Sequence, residues 1–383
     1  MAHKIAMIGT GANPDNPSTE GYAMAYRHAE AYRRLESCEL VACADIIIEN
    51  ARQFATRFDI LSDHVYEDYE QMLSEVEPDI ISVCVPPAAH ADIVIGCAES
   101  GIPDAIHCEK PMALTWGEAR EMAAVAEENG VQLTFNHQRR FGGPFRVAKK
   151  LLDDGRVGTL ERIELGGENL YDYGTHLFDL AGYFTDQSPA KWVLAQIDYR
   201  DENLLFGAHN ENQAISHWQY ENGVHGVAST GRNSFLNAQV RLVGSDGVLE
   251  IGHEDGPPLR MLASDTEGWI RVDTGGDDIH GPVPDRKVRL TRAISRRVPV
   301  ISPDWFDDDS TTYIERAIEE IVESLAAGQT SELSASNALQ ATELIFASWE
   351  SAHKRQRIDL PLDIESNPLE EMVAAGELPV TGV

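Results

Sequence analysis

Over its first 135 residues the chain alternates short apolar runs with amphipathic stretches, and that alternation constrains the fold more than any other feature. The short apolar runs at Lys4–Ile8, Leu40–Ala44, Ile80–Val85, Ala105–Cys108 and Gln132–Asn136 read as strands. Stretches between them, such as Ala88–Ser100 and Thr115–Asn129, have helical spacing. The second opens on a Thr115-x-x-Glu118 capping box and closes on Asn129-Gly130. Repeated βαβ units of this kind predict a doubly wound α/β domain with a parallel sheet.

From about Phe141 the pattern changes. A helix over Pro144–Asp154 ends at Gly155, a strand follows at Leu160–Leu165, and another helix starts near Gly174. Between residues 191 and 272 several strands are separated by turn signals, including Glu221-Asn222-Gly223 and Ser245-Asp246-Gly247, which read as antiparallel hairpins. A second domain on a largely antiparallel sheet is expected. The segment from Thr274 to Asp309 is rich in Pro, Gly and Asp, and amphipathic helices follow at Thr311–Ala327 and Ser334–Arg357. The expected boundaries are 1–140, 141–362 with closing helices 311–357 packing back on the first domain, and a tail over 363–383.

Two domains also suit a length of 383 residues, which exceeds what one hydrophobic core normally serves. A net charge of −32 argues against an electrostatic footprint on nucleic acid or an anionic membrane, so neither is expected as a partner. Only seven of the 31 cationic residues are lysines. An acidic, lysine-poor chain suggests a halophilic source, in which salt screens self-repulsion; a GC-rich genome is the other explanation. Cys38, Cys43, Cys84, Cys97 and Cys108 include no CxxC pair and read as small buried hydrophobes in a reducing compartment. No apolar leader precedes Lys4 and no run reaches membrane-spanning length, so the expected location is cytoplasmic.

The first strand runs into Gly9-Thr10-Gly11, the start of a dinucleotide fingerprint whose glycines permit a tight turn and close approach of backbone amides to a pyrophosphate. The motif is broken, because Pro14 stands where the third glycine would fall, and Asn13–Pro17 reads as an inserted loop. A purely structural glycine turn is the competing explanation. Asp45, after the second strand, is placed to accept hydrogen bonds from ribose hydroxyls. Ile46 and Ile47 follow it and offer no cation to a 2′-phosphate, which favours NAD over NADP.

Lys110 is the only lysine between Lys4 and Lys149, and Pro111 prevents its strand from continuing. A cation is thus delivered to a strand's carboxyl end, the edge where open α/β sheets bind ligands. Far away in sequence, Asp172-Tyr173-Gly174-Thr175-His176 opens a helix, whose amino terminus would favour a neutral His176 suited to general base catalysis. Taken singly, Lys110 fits a surface loop, Asp172 an N-cap and His176 a structural histidine.

Together with Asp45, Asn136-His137-Gln138-Arg139-Arg140-Phe141 and Gly155-Arg156-Val157-Gly158, the motifs Gly9-Thr10-Gly11, Glu109-Lys110-Pro111 and Asp172-x-Gly174-x-His176-x-x-Asp179 resemble the glucose–fructose oxidoreductase and inositol dehydrogenase (Gfo/Idh/MocA) family, in order, over residues 4–250 and the closing helices. The resemblance implies an N-terminal Rossmann domain, a C-terminal α/β domain with a large open mixed sheet, and a nicotinamide cofactor. It implies hydride transfer at a secondary carbinol of a sugar or polyol, with Lys110, Asp172 and His176 at the family's catalytic positions. Gly9, Thr10, Gly11, Asp45, Glu109 and Lys110 are expected to face the cofactor, as is the loop carrying Pro86 and His90 in similar proteins. Arg140 is expected either to reach substrate hydroxyls or to tie the domains together, and Trp192, Trp218 and Trp305 either to stack on a sugar or to pack in the core. No metal is expected, since no histidine spacing suits one. A homodimer or homotetramer is expected, because an open sheet face invites pairing. The alternatives are an NAD-retaining glycosidase that oxidises transiently and a non-catalytic cofactor-binding regulator.

Overall fold

The computed structural model describes residues 2–11, 13–14, 22–283 and 310–378. Trp305 and most of the Thr274–Asp309 segment lie outside the described residues, as does the end of the Asn13–Pro17 loop.

Six parallel strands form the first sheet: β1 His3–Ile8, β2 Cys38–Ala44, β3 Val65–Tyr66, β4 Ile80–Val83, β5 Ala105–Cys108 and β6 Gln132–Phe135. Their order is β3-β2-β1-β4-β5-β6, so the winding reverses between β1 and β4 and leaves a crevice at the strands' carboxyl ends. The connecting helices are α1 Met24–Arg33, α2 Ile48–Phe58, α3 Tyr69–Val76, α4 His90–Glu99 and α5 Trp116–Glu128. Every residue of β4 and β5 is buried, which is why those runs carry no polar alternation. The Thr115–Glu118 capping box forms as expected. The strand β3 went unread, since two residues give no periodicity.

After α6, Gly143–Asp153, the chain builds a nine-stranded mixed sheet. From edge to edge its strands are Ile270–Arg271, Leu259–Ala263, Gly247–Ile251, Val240–Gly244, Leu160–Gly167, His225–Gly231, Gln213–Tyr220, Ala190–Asp198 and Ile358–Asp359. All neighbours are antiparallel except Leu160–Gly167 and His225–Gly231. Both predicted hairpins are present. Gln213–Tyr220 alternates strictly, and its inward residue Trp218 meets Phe178 of α7, Gly174–Phe184, with ring centroids 5.1 Å apart. The opposite face presents Leu194 and Ile215 to solvent.

The helix Tyr313–Ala327 returns to the first domain, where Ile314, Ile318 and Val322 pack with Tyr26, Ala29 and Tyr32 of α1. The region expected to be a tail from 363 instead packs against the body. Asn367 Oδ1 accepts from the amides of Leu369 and Glu370 to start a helix over Pro368–Ala374, which buries Leu369 and Met372. A seven-residue helix is too short to show an apolar stripe, and burial against neighbours holds it. Among the described residues no helix is long and apolar enough to cross a membrane.

Candidate active site

The carboxyl ends of β1, β2, β4 and β5 open into a cleft of about 710 Å³, and the start of α7 forms its other wall. At one end Gly9 adopts φ 87°, and a Cβ there would lie 2.6 Å from Val85 Cγ1 and 2.9 Å from the Cys84 carbonyl oxygen. Only glycine fits this turn. Asp45 Oδ2 accepts from the Thr10 amide at 2.7 Å and from its hydroxyl at 3.1 Å, and Oδ1 accepts from the Ile47 amide at 2.9 Å. The carboxylate thus shapes the turn as well as lining the cleft. Ile46 is exposed beside it. Next to the turn, α1 follows its N-cap residue Ala23, whose φ is 53°, and among the described residues no side chain caps it, so its first turn lines the cleft with amides open to a ligand. An uncapped helix amino terminus beside a Gly9–Gly11 turn fits a pyrophosphate.

At the other end Lys110, following β5 and joined to Pro111 by a cis peptide bond, reaches across to the second domain. Its Nζ donates to Asp172 Oδ1 at 2.9 Å and to the Asp172 carbonyl at 3.0 Å. Asp172 therefore pairs with Lys110 and does not cap α7, whose N-cap position is Tyr173. His176, in the first turn of α7, lines the same cleft and is buried, with no hydrogen-bond partner at Nδ1 among the described residues. Burial, aided by the positive charges of Arg139 and Lys110 and by His137 and His280, holds its ring well below the ordinary histidine range. The expected neutrality thus has burial as its leading cause, where the helix terminus was expected to supply it.

Comparison with known proteins identifies the family of the two domains. Residues 3–137 match the family described as "Oxidoreductase family, NAD-binding Rossmann fold", and residues 161–250 match the "GFO/IDH/MocA C-terminal domain". D-apiose dehydrogenase of Paraburkholderia graminis is 32% identical over 278 residues, 64% of this chain and 71% of that protein. The chain belongs to the GFO/IDH/MocA oxidoreductase family. D-glucoside 3-dehydrogenase of Escherichia coli is 29% identical over 200 residues, 47% of this chain and 53% of that protein, so the match spans about half of that relative. An NAD-binding oxidoreductase from Klebsiella pneumoniae shares the fold, with a TM-score of 0.72 at 18% identity over 94% of this chain and all of that one.

In this GFO/IDH/MocA member a buried polar network supports the Lys110 side of the cleft. Glu109 Oε1 accepts from His28 Nε2 at 2.9 Å and from Asn136 Nδ2 at 2.7 Å, and Oε2 accepts from the Lys110 amide at 3.2 Å. Glu109 lines the cleft, and through these donors its carboxylate also braces Lys110. Burial raises the Glu109 carboxyl, yet His28, Asn136 and Lys110 outweigh it and bring it down to about 2. Burial likewise opposes a charged His28, yet Cys84 and Glu109 outweigh it and raise the ring to about 10. A buried ion pair results.

His90 also departs from expectation. Pro86 lines the cleft, whereas the His90 ring is fully buried, with Nδ1 3.0 Å from the Pro111 carbonyl oxygen and Nε2 2.9 Å from that of Val85. It joins the loop after β4 to the loop carrying Lys110 and does not touch the cleft. Arg140 ties the domains, with Nε and Nη2 each 2.6 Å from an Asp179 carboxylate oxygen. Trp218 is core, and Trp192 lies on the sheet, donating to Gln219 at 3.2 Å.

The cleft also draws on residues not singled out from the sequence. Tyr22 and Phe206, one from each domain, meet with centroids 5.7 Å apart, and Arg139 and His280 stand near His176. Behind Asp172, Asn210 Oδ1 accepts from its amide at 3.1 Å, and Glu211 Oε1 accepts from the Leu170 amide at 2.6 Å. Asn210 and Glu211 are both fully buried, which nothing in their sequence marks.

Proposed function

We propose that this protein is an NAD-dependent oxidoreductase transferring hydride between nicotinamide and a secondary carbinol of a sugar or polyol. The observation that carries the reading is a buried His176, neutral and unpartnered at Nδ1, in the same cleft as the Lys110–Asp172 ion pair. The Gly9–Gly11 turn and the start of α1 would hold the pyrophosphate, and Asp45 the adenosine ribose. When bound, NAD supplies the hydride acceptor.

His176 takes the proton of the reacting hydroxyl during oxidation and returns it during reduction. Lys110 donates to the same oxygen and stabilises the alkoxide that develops as hydride leaves the carbon. Asp172 fixes the Lys110 ammonium at 2.9 Å and so orients it. A preference for NAD over NADP is supported by Asp45, whose charge would repel a 2′-phosphate, and by the exposed Ile46 and Ile47 beside it. The relatives acting on apiose and glucosides support a sugar substrate.

The test is a screen of aldoses, inositols and sugar acids with NAD and NADP, following reduced-cofactor fluorescence in the wild type and in Lys110→Ala. Substrate-dependent NADH formation that the variant loses is the expected result. Failure to form reduced cofactor with every substrate, or near-normal turnover in Lys110→Ala, would overturn the reading. Product formation without net NADH would point instead to transient oxidation by an NAD-retaining glycosidase.

A further inference from the structure

The substrate end of the cleft holds a cation that the chemistry above does not use. Arg139 sits in the 3-10 turn Gln138–Phe141, lines the cleft and is only 8% exposed. Its Nη1 donates to Gln239 Oε1 at 3.1 Å, and its guanidinium stacks 4.4 Å from the centre of the Tyr173 ring. Among the described residues no carboxylate pairs with it. Arg140, the next residue, shows what a satisfied buried arginine looks like in this protein, held by both oxygens of Asp179. A guanidinium carries five N–H donors in a rigid fork and cannot lose its charge, so it does not escape burial by neutralising.

The surroundings sharpen the point. Lys110 is already neutralised by Asp172, whereas Arg139 and His280 face the cleft near His176; burial and Arg139 lower the His280 ring, and the carboxylates of Asp278 and Glu168 oppose that shift without reversing it. In a chain of net charge −32 the Arg139 guanidinium places a permanent positive charge at this end of the cleft. Gln239 and Tyr173 fix the guanidinium in place but supply no negative charge. A substrate filling the cleft strips water from the free N–H groups, and a neutral hydroxyl compensates that loss less well than an anion.

We propose that Arg139, assisted by His280, forms an anion subsite beside the reacting carbon, and that the substrate carries an anionic oxygen group, a carboxylate or a phosphate. The inference rests on the dehydrogenase reading above and names the substrate class for that site. The Tyr173 ring backs one face of the fork, so the anion is received edge-on, as in a bidentate carboxylate or phosphate pair. Arg139 binds the substrate without taking part in proton or hydride transfer.

The test uses the full-length protein at saturating NAD with three matched arms: a neutral aldose, the corresponding aldonate or uronate, and the corresponding sugar phosphate. We expect one anionic arm to exceed the neutral one in kcat/KM, and the arm that does so identifies the group. In Arg139→Gln the ratio of anionic to neutral kcat/KM should fall about 10- to 100-fold, the range for one hydrogen bond to a charged group. Arg139→Lys, which keeps the charge but loses the fork, should fall in between. An equal ratio in wild type and variants overturns the subsite and leaves the dehydrogenase reading intact. Calorimetric titration of the sugar acid and sugar phosphate into NAD-loaded wild type and Arg139→Lys reads the subsite without turnover. Arg139-dependent binding without turnover would retain the subsite and sink the dehydrogenase reading; binding of neither anion would overturn the subsite.

Discussion

The two walls of the cleft are built on opposite plans. Behind Lys110, the Glu109 carboxylate is saturated by His28, Asn136 and the Lys110 amide, and the His90 ring spans two loops. Across the cleft, among the described residues, His176 has no partner at Nδ1 and Arg139 has no carboxylate. Buried polar groups normally find partners, so the saturated Glu109 and His90 read as scaffold. Behind them, Asn136 Oδ1 and His107 Nε2 are also without partners among the described residues but do not line the cleft, whereas His176 and Arg139 do and read as surface kept free for a ligand. Lys110 joins the two plans: its backbone belongs to the scaffold and its ammonium to the chemistry.

If that division is right, substitutions on the two walls separate activity from stability. His176→Ala should lower kcat by about 10²- to 10⁴-fold, the usual worth of a general acid–base, while leaving the NAD dissociation constant nearly unchanged in a fluorescence titration. A loss of NAD affinity comparable to the loss of kcat would erase the distinction. On the saturated wall, His28→Asn leaves Glu109 buried without its cation and should cost about 3–5 kcal/mol in urea unfolding. An unfolding curve that superimposes on wild type would show that the network is not what holds this wall.

The same pair predicts a pH response of definite sign. His28 is raised from 6.5 to about 10 on folding, so its stabilisation is complete below 6.5 and is lost as pH climbs through 10. Glu109 is lowered from 4.5 to about 2, so its stabilisation is complete above 4.5 and is lost as pH falls towards 2. The pair therefore contributes fully between 4.5 and 6.5, and thermal unfolding in His28→Asn should lose this dependence on both sides. His176, held neutral by burial and nearby cations, should impose no matching fall in kcat near neutrality. A sigmoidal kcat centred at the ordinary histidine value would contradict that assignment.

Much of this was legible because it is local. Five strands of the first sheet announce themselves as short, mostly apolar runs, and the Thr115–Glu118 box lies within one turn. The convergence of Lys110, Asp172 and His176 came from a resemblance, since no spacing connects residues 62 apart. What escaped depends on which way a side chain turns. Arg139 and Arg140 are neighbours on one 3-10 turn, yet one faces the cleft and the other Asp179. His90 occupies the first residue of α4, where a ring turns to solvent or inward with equal ease, and the carbonyls of Val85 and Pro111 decide it.

Asp45 lies between the two plans and makes the smallest prediction. Its carboxylate accepts from Thr10 and Ile47, as scaffold, and also lines the cleft, as a candidate for the ribose hydroxyls. Asp45→Asn removes the charge while nearly preserving shape, so it should weaken NAD about 10-fold, roughly 1.4 kcal/mol and just under the range of about 1.5–3 kcal/mol for hydrogen bonds to a charged group. It should weaken NADP less, because the repulsion of a 2′-phosphate is removed at the same time. Parallel titrations with both cofactors measure the two terms. An equal loss for NAD and NADP would assign Asp45 to the scaffold alone, acting through the Thr10 turn.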